Sequence, residues 1–188
     1  MSGERSLLRR VRALDEASIV TVFDTYYPLI YRYIYHHVRH QPTAEDLASE
    51  VFIRMLEQLV EGRGPKRHLK AWLYRVAYNL IVDDSRRQIH RDHEPLAKHI
   101  VSVEHDVEEQ VHRTVLQERA KAALDELTPE QRTVIILKFL EGCSNREVSR
   151  ILETSIGAVK SLQHRGLASI RRHLVRTGGD HMRNRDEA

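Results

Sequence analysis

Apolar side chains recur at helical spacing in three N-terminal segments of the chain, which predicts three amphipathic helices. The first segment runs from Phe23 to Val38, and the second begins after Pro42 with Thr43 as its cap and Asp46 three residues on. The apolar positions are Phe23, Tyr27, Ile30, Ile34 and Val38 in the first, Leu47, Val51, Phe52, Met55, Leu56 and Leu59 in the second, and Leu69, Trp72, Leu73, Val76, Ala77, Leu80 and Ile81 in the third. Three such helices can enclose a core, so we expect an N-terminal domain over residues 1–91.

The C-terminal half shows helix start signals as well as apolar periodicity. A helix is predicted over 111–127, and Thr128, Pro129 and Gln131 then provide a cap, a first-turn proline and a capping-box residue for a helix ending at Leu140. Ser144 and Glu147 form a second capping-box signature. Ser155 can cap the next helix after a turn of about three residues, which is helix-turn-helix spacing.

The pattern of charge divides the chain further. Of 188 residues, 41% are hydrophobic and 30% charged, and the net charge is only +3, so the distribution matters more than the total. Residues 92–110 are acidic and contain Pro95, which predicts a flexible linker between a domain at 1–91 and a domain at 111–176. Residues 177–188 are predicted to be a disordered tail. The fold expected is all-α, with two small helical domains, the second a helix-turn-helix.

Two segments are strongly basic. From Ser155 to Arg176 there are five Lys and Arg and no Asp or Glu, and from Val60 to Arg91 there are eight against three. On a helical period Val159, Leu162, Gly166 and Ile170 share one face of the last helix, and cations lie on the opposite face. A helix of one charge sign behind a capped first helix and a short turn favours DNA binding over a solvated surface.

Other functional classes have little support in the sequence. No phosphate-binding loop, nucleophile motif or pair of inward-facing carboxylates appears, so no catalytic residue and no cofactor is assigned. The pairs His36 with His40 and His90 with His93 lack the further convergent ligands that zinc requires, so no metal site is expected. The single Cys143, the lack of a signal peptide and the lack of a long apolar stretch favour a cytoplasmic protein.

Three segments carry a family resemblance: AEDLASEVFIRML (44–56), AWLYRVAYNLIVDDSRR (71–87) and LTPEQRTVIILKFLEGCSNREVSRILETSIGAVKSLQHRG (127–166). In this order they resemble region 2.2, regions 2.3 and 2.4, and region 4 of the extracytoplasmic-function class of bacterial RNA polymerase sigma factors. The resemblance implies a protein that binds core RNA polymerase through the β′ clamp helices and the β flap, directs it to promoters, and helps to melt the minus-10 element. An anti-sigma protein is a further possible partner.

The resemblance also implies roles for individual residues. Asp46 and Glu50 match the acidic positions that bind core polymerase. The minus-10 element would contact Arg63, Lys66, Arg67, Arg75, Tyr78, Asn79 and Arg86, whereas Trp72 lies on the apolar stripe and is expected in the core. The minus-35 element would contact Ser155, Lys160, Ser161, His164 and Arg165 of the recognition helix, with Arg146 and Arg172 on phosphates.

Two departures from the common family pattern limit which family properties can be assigned to this sequence. Glu153 stands where a helix-turn-helix often has Gly, so the turn must form without a glycine, and Leu162 with Gln163 stands where many members have Arg and Leu. The promoter sequence is therefore left open. The rival interpretation is a helix-turn-helix regulator that binds duplex DNA without core polymerase.

Overall fold

The computed structural model describes residues 2–91 and 119–183, with side chains described over 3–88 and 119–177. All regular structure in these ranges is helical, which confirms the all-α fold class. The predicted linker and residues 111–118 of the next predicted helix lie outside the described ranges. The helices are α1 (Ser2–Arg12), α2 (Glu16–Val38), α3 (Gln41–Val60), α4 (Leu69–Arg91), a helical segment at 119–125, α5 (Pro129–Ile135) with a π-helical turn at Ile136–Leu140, α6 (Asn145–Ile151) and α7 (Ile156–Arg183).

The N-terminal half is built on α2, α3 and α4, as the periodicity predicts. Side chains such as Ile30, Val51 and Leu73 are fully buried where the three helices meet. The helix α1 was not predicted. It adds Leu8 and Val11 to the same core, and the Glu4 carboxylate accepts a hydrogen bond from the Leu69 backbone N–H at 3.2 Å, at the start of α4.

Details of α2 and α3 differ from the sequence expectation. The helix α2 begins at Glu16 because the Asp15 side chain caps the Ser18 N–H. The expected Thr43 cap is wrong: α3 begins at Gln41, and the ring of His40 accepts from the Thr43 N–H. Phe23 and Leu56 belong to the predicted apolar stripes, but their side chains are 43% and 40% exposed.

The C-terminal half follows its start signals closely. Both capping boxes are present, at Thr128 with Gln131 and at Ser144 with Glu147, and Ser155 accepts from the Ala158 N–H at 3.1 Å. The end of α7 was predicted at Arg176, which is too early, since the helix continues to Arg183. An ion pair at 2.8 Å between Arg176 and Glu126 holds the α7 turn that precedes this extension.

The two halves pack against each other. One continuous cluster of buried side chains contains Tyr33 and Tyr74 from the N-terminal half and Leu137 and Val148 from the C-terminal half. The helix α4 packs on α6, and α2 contacts the π-helical turn. The two predicted helical domains therefore share an interface.

Candidate nucleic-acid interface

The helix-turn-helix is formed by α6 and α7, and its turn forms without glycine. Glu153 takes a left-handed backbone conformation, with φ of 48°. A left-handed conformation costs a residue with a Cβ about 1–2 kcal/mol. Two contacts stabilise the turn: the Thr154 N–H donates to the Ser149 carbonyl at 3.0 Å, and the Ser149 hydroxyl donates to the Thr154 carbonyl.

The packing of the inner face of α7 determines the direction in which its outer face points. Val159 is fully buried, and Gly166 lies so close to Ile135 of α5 that a Cβ there would be 3.0 Å from Ile135 Cγ1. This contact lets the α7 backbone approach α5. The small residue at 166 is therefore a packing requirement, since no positive φ is involved.

The outer face of α7 holds the predicted minus-35 residues together. The side chains of Lys160, Ser161, His164 and Arg165 are exposed and line one open concavity. Arg172 is exposed two turns further along, with a hydrogen bond to the Ser169 hydroxyl at 2.9 Å, and Arg146 is exposed on α6. Ser155 acts as the helix cap, which places its hydroxyl at the positive end of α7, where backbone N–H groups favour an anion.

The predicted minus-10 residues form a less open surface. Lys66, Arg67, Asn79 and Arg86 are exposed and Tyr78 is partly buried. Arg63 is paired with Glu61, and Arg86 lies 3.9 Å from Asp83. Trp72 is partly buried and packs against the core, as expected.

Arg75 differs from the other predicted minus-10 residues because its partner comes from the other half of the chain. It forms an ion pair with Glu153 in the helix-turn-helix turn, and 29% of its side chain is exposed. Burial lowers the pKa of Arg75 from its usual value, although a guanidinium stays charged at any physiological pH. The structure therefore brings one of the predicted minus-10 residues into contact with the helix-turn-helix.

The two predicted polymerase-binding residues lie one helical turn apart on α3. Asp46 is exposed, and Glu50 is partly buried and accepts a hydrogen bond from Arg54 at 2.8 Å. The exposed apolar side chains Ile53, Leu56 and Val60 continue along the same helix. This surface combines acidic and apolar groups, which suits a protein partner.

Sequence reasoning missed a polar cluster between the two halves, centred on Glu141. Its carboxylate accepts hydrogen bonds from Arg32 at 3.0 and 2.9 Å and from the Tyr74 hydroxyl at 2.7 Å. The Glu141 side chain is fully buried, whereas that of Arg32 is 49% exposed. The hydrogen bond to Glu141 raises the pKa of Arg32, and burial raises that of Tyr74 well above its usual value. A glutamate after a helix end, beside Gly142, carries no sequence signal for such burial.

A second polar contact between the halves lies at the end of α2. Arg39 donates to Asp125 at 2.7 Å and to the Lys121 carbonyl at 3.1 Å. The His37 Nε2 and Arg132 Nε atoms are buried there without a hydrogen-bond partner among the described residues, and Arg132 Nη2 lies 3.2 Å from the Asp125 carboxylate. Burial lowers the pKa of His37 to about 3, with Arg132 and His36 contributing.

Two further searches cover only the described part of the chain. Residues 2–91 and 119–183 contain no group of three or more His, Cys, Asp and Glu placed to hold a metal ion. No helix in these ranges is both long and apolar enough to cross a bilayer.

Comparison with known proteins places both halves in one family. Residues 22–91 match Sigma-70 region 2 and residues 117–170 match Sigma-70 region 4. The ECF RNA polymerase sigma factor SigX of Bacillus subtilis is 33% identical over 172 residues, covering 85% of this chain and 84% of SigX. This chain belongs to the extracytoplasmic-function (ECF) sigma factors of the sigma-70 family. Sigma factors bind core RNA polymerase and direct it to promoters, and they are regulators rather than enzymes.

Other relatives agree with this assignment. The ECF sigma factor BldN of Streptomyces coelicolor is 32% identical over 89% of this chain, which spans 64% of the length of BldN. Among solved structures, CnrH in complex with the cytosolic domain of CnrY has a TM-score of 0.67 at 18% identity, covering 91% of this chain and 96% of that one. The sigma factor RpoE of Bartonella quintana, in complex with the anti-sigma factor NepR, has a TM-score of 0.64 at 21% identity, covering 82% and 94%. The match of the N-terminal half to region 2 does not favour the rival stand-alone regulator.

Proposed function

We propose that this sigma factor contacts promoter DNA with two separate surfaces, one on each half of the chain. The recognition surface is the outer face of α7, which lies in the major groove of the minus-35 element. The observation that carries this assignment is the shared exposure of Lys160, Ser161, His164 and Arg165 on a helix whose opposite face is buried. Side chains near the start of such a helix reach base edges, and Arg146 and Arg172 flank them to contact phosphates.

The second surface is formed by α4 and the loop before it, and it holds the minus-10 element while its strands separate. Strand separation costs unstacking energy, which cations and aromatic or amide groups offset by binding phosphates and extruded bases. Arg75, Tyr78 and Asn79 lie along α4, with Arg63, Lys66 and Arg67 in the preceding loop and Arg86 further along the helix. In this proposal the protein acts by binding promoter DNA and core polymerase.

Two surfaces are suited to protein partners. Asp46 and Glu50 on α3, with the exposed apolar side chains beyond them, bind the β′ clamp helices. An open apolar groove on the C-terminal half, lined by residues that include Leu124, Phe139, Leu140 and Leu174, suits the β flap. An anti-sigma protein, like those bound to the solved relatives, competes for one or both surfaces.

Polymerase recruitment and run-off transcription test this function directly. The purified chain is mixed with bacterial core RNA polymerase, analysed by size-exclusion chromatography, and then supplied with a randomised promoter library. We expect co-elution and transcripts that start downstream of one shared pair of motifs. Asp46→Lys should abolish co-elution, and Glu130→Lys, an exposed acidic residue outside all the assigned surfaces, is the matched control. If the native chain neither co-elutes nor initiates, the proposal is wrong.

A further inference from the structure

The first turn of the recognition helix α7 carries no charged side chain. The helix begins at Ile156, directly after the Ser155 cap, and Gly157 follows. The cations of the recognition face begin only at Lys160. Side chains near the start of a recognition helix are the ones that reach base edges. The residues placed to enter the groove first are therefore Ile156 and Gly157, and neither has a polar side chain.

Gly157 is not required by the fold. A Cβ at this position would meet only the Ser155 hydroxyl oxygen, at 3.7 Å, which is an ordinary van der Waals distance. Its φ is not positive, so the backbone conformation does not require glycine either. Gly166 of the same helix differs, because its Cβ would lie 3.0 Å from Ile135. A helical glycine lowers stability relative to alanine, and one use that offsets this cost is close approach of the backbone to a ligand.

Gly157 lies on the recognition face itself. On a helical period it shares one side of α7 with Ser161 and His164, four and seven positions further on. All three residues are exposed, whereas Val159 is fully buried. The missing side chain leaves a depression at the start of this face. The helix backbone can therefore come closer to base edges here than a larger residue would allow.

Ile156 borders this depression and is exposed. Its exposed fraction is 39%, and it lies one helical turn before Lys160 on the same side of α7. An apolar side chain in this place gains free energy when a partner removes it from water. A DNA surface that covers Ile156 must then offer it an apolar group.

The major groove offers one methyl group, the C5-methyl of thymine. The other groups that base pairs present there are hydrogen-bond donors and acceptors, which an isoleucine side chain cannot bind. A T·A pair and an A·T pair carry the methyl group on opposite strands. An apolar contact at a fixed place on the helix therefore selects both the base pair and its orientation.

We propose that Ile156 is a specificity-determining residue that packs on the C5-methyl group of one thymine in the minus-35 element, and that Gly157 permits the close approach this contact requires. The proposal rests on the minus-35 surface assigned above. It adds one defined base pair, read by an apolar contact at the start of α7, to the polar contacts of the following turns.

Replacement of thymine by deoxyuridine tests the contact, because the two bases pair identically and differ only in the C5-methyl group. The minus-35 element is taken from a promoter recovered in the run-off library, and each thymine of both strands is replaced singly. Binding of the complex of the full chain with core polymerase is measured by fluorescence anisotropy. At one position the replacement should weaken binding about fourfold, which corresponds to the burial of one methyl group.

A double-mutant cycle assigns that methyl group to Ile156. Ile156→Ala should weaken binding to the thymine element at least as much as the uracil does, and the uracil should then have no further effect. Val175→Ala is the matched control, since it removes an apolar side chain of α7 that is 69% exposed and lies far from the start of the helix. It should keep the fourfold effect of the uracil.

Gly157→Ala provides a second test that does not depend on the folding of Ile156→Ala. Alanine has the higher helix propensity, so this variant should fold at least as well as the native chain. It should nevertheless weaken binding to the thymine element several-fold and reduce the effect of the uracil, because its Cβ holds the start of α7 away from the bases.

Three results would overturn the proposal: no single uracil weakens binding, the uracil effects are the same in Ile156→Ala as in the native chain, or Gly157→Ala binds as tightly as the native chain. A minus-35 element without thymine in either strand would overturn it as well. In each of these cases recruitment and initiation stand, so the proposed function survives. A chain that recovers no promoter overturns both proposals.

Discussion

The two basic surfaces of this sigma factor differ in how they hold their cations. On α7 the four side chains at the centre of the recognition face are exposed together, on one side of a single helix. On α4 and its loop, several cations are paired with carboxylates, and Arg75 is paired across the interface. The surface on α7 is available once that helix folds. Access to the surface on α4 and its loop also depends on where the C-terminal half of the chain lies.

Removing cations from the recognition face should have the largest effect. The double variant Lys160→Ala/Arg165→Ala should weaken binding to a promoter duplex on the order of 100-fold, since each good base contact contributes about 1–3 kcal/mol. Anisotropy titrations at several salt concentrations should also show a shallower salt dependence if either residue contacts phosphate. Arg9→Ala, which removes an exposed cation on α1, serves as the control. A loss no greater than that of Arg9→Ala would remove α7 from the DNA interface.

The packing that orients the recognition face is tested at two glycines of the same helix. Gly166→Ala places a Cβ against Ile135, whereas a Cβ at Gly157 would lie 3.7 Å from the Ser155 hydroxyl oxygen. Both variants gain helix propensity, about 1 kcal/mol, but only Gly166→Ala adds overpacking of about 1–3 kcal/mol. Chemical denaturation should therefore show Gly166→Ala to be less stable than Gly157→Ala. Equal stabilities would mean that α7 can move away from α5 at little cost.

The interface between the halves should weaken in acid. His37 has a pKa near 3 in the folded chain and about 6.5 when unfolded, so between these values the unfolded chain binds the additional proton. Stability should therefore be fully present above about pH 6.5 and fall as the pH drops toward 3. The loss of stability cannot exceed the free energy that holds the interface closed. This limit applies because the interface can open, and His37 can then take up its proton, before either half unfolds.

Urea unfolding at pH 7.5 and pH 5.5 measures this dependence. His37→Gln should reduce the difference between the two midpoints, and His36 should retain part of it, since burial also lowers the pKa of His36. His164→Gln, at an exposed position on α7, is the control and should keep the native difference. An unchanged difference in His37→Gln would assign the pH dependence to other groups.

The smallest expected effect is at the helix-turn-helix turn. Glu153→Asn replaces a strained left-handed glutamate by a residue that tolerates this conformation, and Glu153→Gln keeps the strain but removes the charge. An exposed ion pair contributes about 0–1 kcal/mol, so Glu153→Asn should be close to neutral or slightly stabilising and Glu153→Gln slightly destabilising. Thermal unfolding distinguishes them. If Glu153→Asn is less stable than the native chain, the ion pair with Arg75 outweighs the backbone strain.

Much of each half could be predicted because its signals are local. The capping boxes at Thr128 and Ser144 join residues only three positions apart, and the apolar stripe of α4 repeats every three to four residues. The errors also have local causes. The His40 ring competed with Thr43 as the cap of α3, and Gly178 and Gly179 favoured an end of α7 that the structure does not adopt.

The sequence by itself determined most of the helices, the two capping boxes, the basic faces and the family. The tertiary structure alone decided which of those charged groups meet each other. Tyr74 and Glu141 are 67 positions apart and Arg32 and Glu141 are 109 apart, so no local pattern links them. Pairing between residues so far apart in the sequence depends on how two folded halves pack. The strength of a charge pair is set by the distance between the groups in space and by their burial, not by their positions along the chain.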